Sequence, residues 1–389
     1  TFGLQSSCSS KIKFIFWKGK LSNMKKRSLL LIPTLLVVSA LSACGNNESE
    51  NARIIRENKD LTVEQLVEKA KEETGDFTVY STSSKTDKNV KAFAEKYKLS
   101  GTFSAVKQNE SGFYSAIDTL IEAGNKDIDA VVTQNGASLS NELADGSLIN
   151  YLPKGMEAND HYAFMYYVKS FAISKTSTET FTNVWDLVDT KTTVKFKKSN
   201  EPINQLFMAE LTTDTWSKKL GDAYESKYGS GKLDAALKEG KYKNAGWMFM
   251  DKFLTRVINL ESEGDCAKEC ASATTPFVGF SPISKYSLGD TGNYNKVNFL
   301  DSMQGFKGYA YKFYYEISKT TDRPFTAMLY ANYLSDADGI TSWTSEGNGI
   351  YSANDANIDT LLKDCVIENF NDVKKEWASI VAKLESYVG

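Results

Sequence analysis

The sequence has very few of the residues that build metal centres and hydrolytic sites. It contains one histidine, His161, among 389 residues. A single histidine excludes the zinc and manganese sites that are built from several imidazoles. A serine hydrolase would need His161 as its base, and no GxSxG nucleophile elbow precedes this residue. Paired carboxylates for glycoside cleavage have no sequence signature, so a secreted hydrolase stays open as the competing class.

Cysteine is also scarce, with five in the chain. Three of them, Cys266, Cys270 and Cys365, follow the N-terminal segment. If the chain is exported, a disulfide is allowed, and the spacing Cys266-Ala-Lys-Glu-Cys270 favours a local one between Cys266 and Cys270. A zinc site is not favoured, because two further ligands are missing. Cys365 lies in an apolar stretch, and we expect a buried free thiol there.

No apolar run reaches the ~20 residues that a membrane-spanning helix needs. The longest, 28–40, follows the basic residues Lys25, Lys26 and Arg27 and ends in Leu41-Ser-Ala-Cys44-Gly. This arrangement predicts a signal peptide over 24–43 and lipidation at Cys44, the pattern of a bacterial lipobox. Residues 1–23 precede Met24 and are interpreted as untranslated or as an artefact. The prediction is a protein outside the cytoplasm, lipid-anchored to the cell membrane.

Basic residues are fewer than acidic residues once the predicted leader, residues 1–43, is set aside. Seven of the 46 basic residues and none of the 49 acidic residues precede Cys44, so the remaining chain carries net charge −10. An acidic body argues against nucleic acid as a partner and against broad electrostatic contact with a membrane. The remaining 346 residues are many for one core and suit two lobes.

Strand-like and helix-like segments alternate after a polar stretch. Residues 44–58 are predicted to be a tether. Thr62 and Gln65 form a capping-box pattern at the start of a helix. Strands are expected at 77–80, 102–106 and 128–133, with helices at 87–97 and 111–123 between them. This alternation predicts right-handed crossovers and a parallel sheet.

Polar loops follow the three predicted strands at one edge of this sheet. They contain Ser81-Thr-Ser-Ser84, Gln108-Asn-Glu-Ser-Gly112 and Thr133-Gln-Asn-Gly136. Ligands of open parallel sheets bind beyond the carboxyl ends of the strands. For a single loop a purely structural role is favoured, since serine, threonine and asparagine are good helix caps and turn formers. Three such loops together favour a polar binding cleft.

The order of segments resembles one family along nearly the whole chain after the leader. The segments are Phe77-Thr-Val-Tyr-Ser-Thr-Ser83, Ile128-Asp-Ala-Val-Val-Thr133, Phe171-Ala-Ile-Ser174, Phe196-Lys-Lys-Ser-Asn200, Pro276-Phe-Val-Gly-Phe-Ser281, Pro324-Phe-Thr-Ala-Met-Leu-Tyr-Ala-Asn-Tyr-Leu334 and Gly349-Ile-Tyr-Ser-Ala-Asn354. They are similar to substrate-binding proteins of bacterial ABC importers with the type II periplasmic-binding fold. The class includes ferric-ion, polyamine, thiamine and phosphonate binders.

This resemblance implies an α/β architecture of two lobes, each a mostly parallel sheet flanked by helices, with a ligand cleft between them. Lobe 1 would comprise 59–168 and about 309–350, and lobe 2 would comprise 169–308 and about 351–389. It also implies a small-molecule solute, hinge closure and delivery to a membrane permease by a monomer, with no cofactor and no catalysis. By position, the contacts in lobe 1 would be Ser81, Thr82, Ser83, Asn109 and Asn135, and those in lobe 2 would be Ser199, Asn200, Asn204 and Ser281.

The class of solute is left with three alternatives. An anionic organic solute suits the hydroxyl and amide loops and the helix N-termini best. Ferric iron, as a transported ligand, is the second. The adjacent tyrosines Tyr166-Tyr167 and Tyr314-Tyr315 do not lie at the family's iron motif, and neighbours on a strand point to opposite faces. A polyamine is the third, since aromatic residues and carboxylates are plentiful.

Overall fold

The computed structural model describes residues 48–109, 112–156, 161–198, 201–287, 292–345 and 347–387. The predicted signal peptide, Cys44, Ser199 and Asn200 lie outside the described residues. Within the described ranges, no helix combines the length and the apolar character needed to cross a membrane.

The described strands join into one twelve-stranded mixed sheet. Its main path runs β2-β1-β3-β10-β5-β8-β6-β7, with β9 and β11 paired to β5 and with β4 and β12 paired to β10. The strands are β1 Phe77–Ser81, β2 Phe103–Lys107, β3 Ala130–Thr133, β4 Leu148–Ile149, β5 Ala163–Ser174, β6 Val194–Phe196, β7 Ile258–Asn259, β8 Val278–Pro282, β9 Val297–Phe299, β10 Gly308–Ser318, β11 Ile350–Ser352 and β12 Cys365–Ile367.

Helices cover this sheet in both lobes. In lobe 1 they are α1 Glu50–Glu57, α2 Val63–Glu72, α3 Thr86–Tyr97, α4 Phe113–Glu122, α5 Gly136–Asp145, α13 Pro324–Ser335 and α14 Ala337–Thr344. In lobe 2 they are α6 Asp186–Asp189, α7 Pro202–Glu210, α8 Asp214–Tyr228, α9 Lys232–Leu237, α10 Ala245–Arg256, α11 Glu263–Ser272, α12 Ser284–Ser287, α16 Phe370–Val373 and α17 Trp377–Glu385, with the short α15 Ile358–Leu361 before β12. The capping box of Thr62 and Gln65 is confirmed at the start of α2.

The two ends of the sheet are parallel and its centre is antiparallel. β1 is parallel to β2 and β3, and β6 is parallel to β7 and β8. β5 and β10 are antiparallel to each other. β5 is also antiparallel to β8, and β10 is antiparallel to β3. The predicted α/β two-lobe architecture is therefore confirmed, with two long antiparallel strands shared by the lobes. At ~3.3 Å per residue, the twelve residues of β5 extend about 40 Å, which is enough to cross from one lobe into the other.

Aromatic side chains of both lobes belong to one continuous hydrophobic core. In lobe 1, Phe93 packs 4.9 Å from Tyr330, measured between ring centroids. In lobe 2, Phe207 stacks 5.1 Å from Phe280. These rings are buried between the sheet and its covering helices. Because they fix the strand ends, the loops that follow the strands are presented on rigid supports.

The predicted tether is in part a helix. Ser49 caps α1 by accepting a hydrogen bond from the Ala52 N–H. Ile55 is 3% exposed, and the Asn51 amide donates to the carbonyls of Lys319 and Thr321. The expectation of a tether is wrong for α1, because one apolar contact and two amide hydrogen bonds dock this polar segment on lobe 1.

The predicted disulfide between Cys266 and Cys270 is absent from the structure, where both are free and buried. The two residues lie one turn apart on α11, and each thiol points to a different neighbour on the sheet. Cys270 Sγ donates to the carbonyl of Ala172 at 3.4 Å, and Cys266 Sγ packs against Gly279. The regular helix keeps the thiols apart. Cys365 is a buried free thiol, as predicted.

Candidate solute-binding cleft

A cavity of about 270 Å³ lies where the two lobes meet over the middle of β5 and β10. Lobe 1 contributes the ends of β1, β2 and β3, and lobe 2 contributes the starts of α7, α11 and α12. The lining residues are Thr82, Ser83, Ser84, Lys85, Lys107 and Gln134 from lobe 1, Glu201, Ile203, Glu263, Pro282, Ser284 and Lys285 from lobe 2, and Tyr167, Lys169, Tyr311 and Phe313 from the crossing strands. We call this cavity the cleft.

The loop after β1 is shaped by its own hydroxyl groups. Ser81 Oγ lies 2.6 Å from Thr86 Oγ1 and accepts the Ser83 N–H at 3.0 Å. Ser83 Oγ in turn accepts the Lys85 N–H at 3.3 Å. These bonds turn the chain directly into α3 and leave Thr82 and Ser83 at the cleft wall. Ser81 itself is fully buried and supports the turn from behind.

A buried lysine forms the floor of the cleft. Lys169, on β5, is 1% exposed, and its ammonium donates to Asn204 Oδ1 at 2.8 Å and to Glu263 Oε1 at 2.9 Å. Glu201 Oε1 lies 3.8 Å from the same nitrogen. A buried ammonium is tolerated because these groups compensate its charge. The floor is therefore a fixed ionic network at the crossing strand.

Lobe 2 holds the two carboxylates of this network in place. Glu263 lies in the first turn of α11, where the helix dipole favours a negative charge. Asn204 Nδ2 donates to Glu263 Oε1 at 3.2 Å, and Ser281 Oγ donates to the Glu263 carbonyl at 3.0 Å. Lys197 pairs with Glu201 at 3.2 Å. Both carboxylates are thus already matched by lysine.

The lining of the cleft carries a positive balance. Four lysines and two glutamates line it, which gives a net charge of +2 in a chain that is acidic after its leader. Lys85 and Lys107 project from lobe 1, and Lys285 projects from lobe 2. Burial raises the pKa of Tyr311 well above its ordinary value, so its hydroxyl stays protonated. Together with the serine and threonine hydroxyls, these groups favour an anion held between the lobes.

The seven predicted contact residues that lie within the described ranges divide into three groups. Thr82 and Ser83 line the cleft. Three others lie behind the lining and support it, namely Ser81, Asn204 and Ser281, which are at most 1% exposed. Two do not line it. Asn109 is exposed beyond β2, and Asn135 caps α5 by accepting the Ser138 N–H at 3.1 Å.

The adjacent tyrosines are separated by the sheet. Tyr167 lines the cleft, while Tyr166 packs in a cluster with Val168 on the other face of β5. On β10, the Tyr314 hydroxyl donates to Glu368 and the Tyr315 hydroxyl donates to the Ala327 carbonyl. Neither pair presents two neighbouring phenols to the cleft, as the strand geometry predicts.

Sequence reasoning missed the four lysines of the cleft and Glu263. Lys169 carried a signal, because it interrupts the apolar stretch from Tyr162 to Ser174, where a buried charge requires partners. Glu263 carried a weaker signal, since it follows the helix cap Ser262. Lys85, Lys107 and Lys285 resemble ordinary surface lysines in the sequence. Only the fold brings them to one cavity.

Solved structures of binding proteins share this fold. A Trichodesmium protein in complex with iron and citrate is 14% identical over 81% of this chain and 99% of that chain, with a TM-score of 0.57. An ABC transporter substrate-binding protein from Bradyrhizobium japonicum is 13% identical over 79% of this chain and 99% of that chain, with a TM-score of 0.55. A binding protein from A. tumefaciens in complex with agropinic acid is 12% identical over 81% and 99%, with a TM-score of 0.52.

No protein-family model matches the sequence of the chain, and no curated protein matches it. The structural likenesses nevertheless extend over almost the entire length of each neighbour. The chain has the two-lobe α/β fold of the periplasmic binding proteins.

Proposed function

We propose that this protein is the solute-binding component of an ABC importer and that it captures a small organic anion in the cleft. The observation that carries this proposal is the net charge of +2 on a cavity whose walls come from both lobes. Lys85 and Lys107 contact the solute from lobe 1, and Lys285 contacts it from lobe 2. Since contacts from both sides exist only when the lobes approach, the solute favours the closed state.

Two structural neighbours support an anion in particular. One holds iron together with citrate, and another holds agropinic acid. Ferric iron carried by an organic anion is therefore the second candidate for this cleft. It would place the anion against the lysines, and it needs no pair of adjacent tyrosines.

A polyamine fits the cleft less well. Its ammonium groups would need Glu201 and Glu263, but Lys169 and Lys197 already pair with these carboxylates. Hydrolysis by paired carboxylates receives no support for the same reason, because Glu201 and Glu263 are both held in ion pairs with lysine. We assign the cleft to binding, with the solute released unchanged.

The proposal also covers the location of the protein and its partner in the membrane. The signal peptide over 24–43 exports the chain, and a lipid on Cys44 tethers it to the outer face of the cell membrane. The protein works as a monomer and hands its solute to a membrane permease. The lipobox pattern at 41–45 supports this placement.

Thermal unfolding with a panel of carboxylates, phosphate esters and amines tests the proposal. An anion present at 100 times its Kd stabilises the folded state by about 2.7 kcal/mol. We expect such a shift from at least one organic anion, with the compound recovered chemically intact. Stabilisation by amines alone, or conversion of the compound, would overturn the assignment.

A further inference from the structure

The crossing strands have a second face, and it also carries a cavity. Tyr311 and Phe313 of β10 line the cleft, whereas Lys312 and Tyr314 line a cavity of about 570 Å³. Neighbouring side chains of a strand point to opposite faces of a sheet, so this cavity lies behind the cleft. We call it the reverse cavity. Its volume is in the range of known small-molecule sites.

Both lobes and the chain between them form its walls. Tyr314 belongs to the part of β10 that pairs with β3 in lobe 1. Glu210 ends α7 and Trp216 lies on α8, both in lobe 2. The segment 365–372, which includes β12 and the first three residues of α16, closes the cavity between them. The aromatic walls offer apolar surface to the body of a ligand.

Two buried carboxyl groups lie at this cavity. Glu368 is fully buried and accepts the Lys312 N–H at 2.9 Å and the Tyr314 hydroxyl at 3.2 Å. Glu210 is 1% exposed, and its Oε1 accepts the Asn369 N–H at 2.8 Å. Glu210 Oε2 accepts no hydrogen bond from the described part of the chain. Glu210 lines the cavity, and a carboxyl oxygen that meets a cavity without a donor is a position for a ligand donor.

The lining of the reverse cavity has more carboxyl groups than lysines. Five carboxyl side chains and three lysines line it, which gives a net charge of −2 when all are ionised. The acids are Glu210, Asp359, Asp364, Glu368 and Asp372, and the lysines are Lys219, Lys312 and Lys363.

Burial raises the pKa of Glu210 to about 8 and that of Glu368 to about 7. The negative charges of Asp372 and Glu368 raise the pKa of Glu210 further, and Lys312 lowers it. At neutral pH, Glu210 is therefore mostly protonated while the cavity is empty. A bound cation would favour its ionised form and displace the proton.

We propose that the reverse cavity binds a small organic cation, whose ammonium group donates to Glu210 Oε2 and whose carbon chain packs against Trp216 and Tyr314. This site is separate from the cleft and does not depend on the anion proposed there. No group on the described residues already supplies the missing donor.

Calorimetric titration of the purified protein with putrescine tests this site. We expect putrescine to bind and the neutral analogue 1,4-butanediol not to bind. Glu210→Gln keeps the acceptor for the Asn369 N–H and removes the charge, so it should weaken putrescine binding at least about tenfold. Glu385→Gln, on the exposed surface of α17, is the matched control and should leave the affinity unchanged.

A second measurement uses the unmodified protein and needs no variant to fold. Titrations at pH 7 in two buffers with different heats of ionisation report the protons exchanged on binding. We expect proton release with putrescine and an affinity that rises from pH 6 to pH 8.5. Absence of binding, equal binding of 1,4-butanediol, an unchanged affinity in Glu210→Gln, or no proton release would each overturn the proposal.

Discussion

The Lys169 ammonium lies 2.9 Å from the Glu263 carboxylate. Glu263 belongs to lobe 2, whereas Lys169 belongs to a strand that crosses between the lobes. Lys169 is on β5 and Glu263 begins α11. Their side chains are 2% and 12% exposed, so solvent screens the pair little. This contact ties the crossing strand to the lobe 2 wall of the cleft.

Removing one partner of this pair should be costly. Lys169→Met leaves Glu263 and Glu201 in a buried site without their shared cation, and we expect a loss of about 3–5 kcal/mol in the free energy of unfolding. Urea denaturation followed by circular dichroism measures it. The double variant Lys169→Met/Glu263→Gln should recover part of the loss.

The control for that variant is an exposed ion pair. Lys218 and Asp222 pair at 2.7 Å on α8 with side chains 77% and 63% exposed. Lys218→Met should change the free energy of unfolding by less than about 1 kcal/mol. Equal losses from Lys169→Met and Lys218→Met would contradict a structural role for the buried network.

Lys107 should contribute to anion binding without supporting the fold. It is exposed at the end of β2 and faces the cleft. Lys107→Met should weaken the anion identified by thermal unfolding about tenfold, the effect of one charge-assisted hydrogen bond. Calorimetry measures this change, with Lys218→Met as the control. An unchanged affinity in Lys107→Met would remove Lys107 from the anion site.

Glu210 should make stability fall as pH rises. Its pKa is raised to about 8 in the folded protein, from an ordinary value of 4.5. The folded state therefore binds this proton more tightly, and stability present at pH 4.5 is lost as pH rises through 8. The variant Glu210→Gln lacks this titrating group. Its free energy of unfolding minus that of the native chain should therefore be larger at pH 8 than at pH 5, by more than about 1.4 kcal/mol. Urea denaturation at each pH measures the difference, and a constant difference would show an ordinary carboxyl.

The three described cysteines should be unreactive in the folded protein. Burial raises the pKa of Cys266 to about 12 and those of Cys270 and Cys365 to about 11, so little thiolate forms at pH 8. Alkylation followed by peptide mass spectrometry should find all three unlabelled before unfolding and labelled after it. A peptide two daltons lighter, with Cys266 linked to Cys270, would show that the disulfide forms after all.

Local patterns predicted the scaffold well. The capping box at Thr62 and the strands at 77–80 and 128–133 depend on neighbouring residues, and each appears within a few positions of its expected place. The order of segments was enough to imply two lobes. Local pattern failed at α1, because its docking depends on the distant carbonyls of Lys319 and Thr321.

The cleft was less predictable, because its lining depends on which residues face one another across the lobes. Serine and asparagine after a strand are equally suited to binding and to supporting a turn. Ser81 and Asn135 support turns, and Thr82 lines the cleft. Lys107 and Lys285 are brought together only by the sheet order, which no local pattern encodes.

Mass spectrometry of the natively purified protein tests most directly whether the cleft holds a small organic anion. Native spectra give the mass of the bound species, and denaturation releases it for identification. We expect one organic anion per chain, at lower occupancy in Lys107→Met and at unchanged occupancy in Lys218→Met. A bound amine, or iron held without any organic anion, would contradict it.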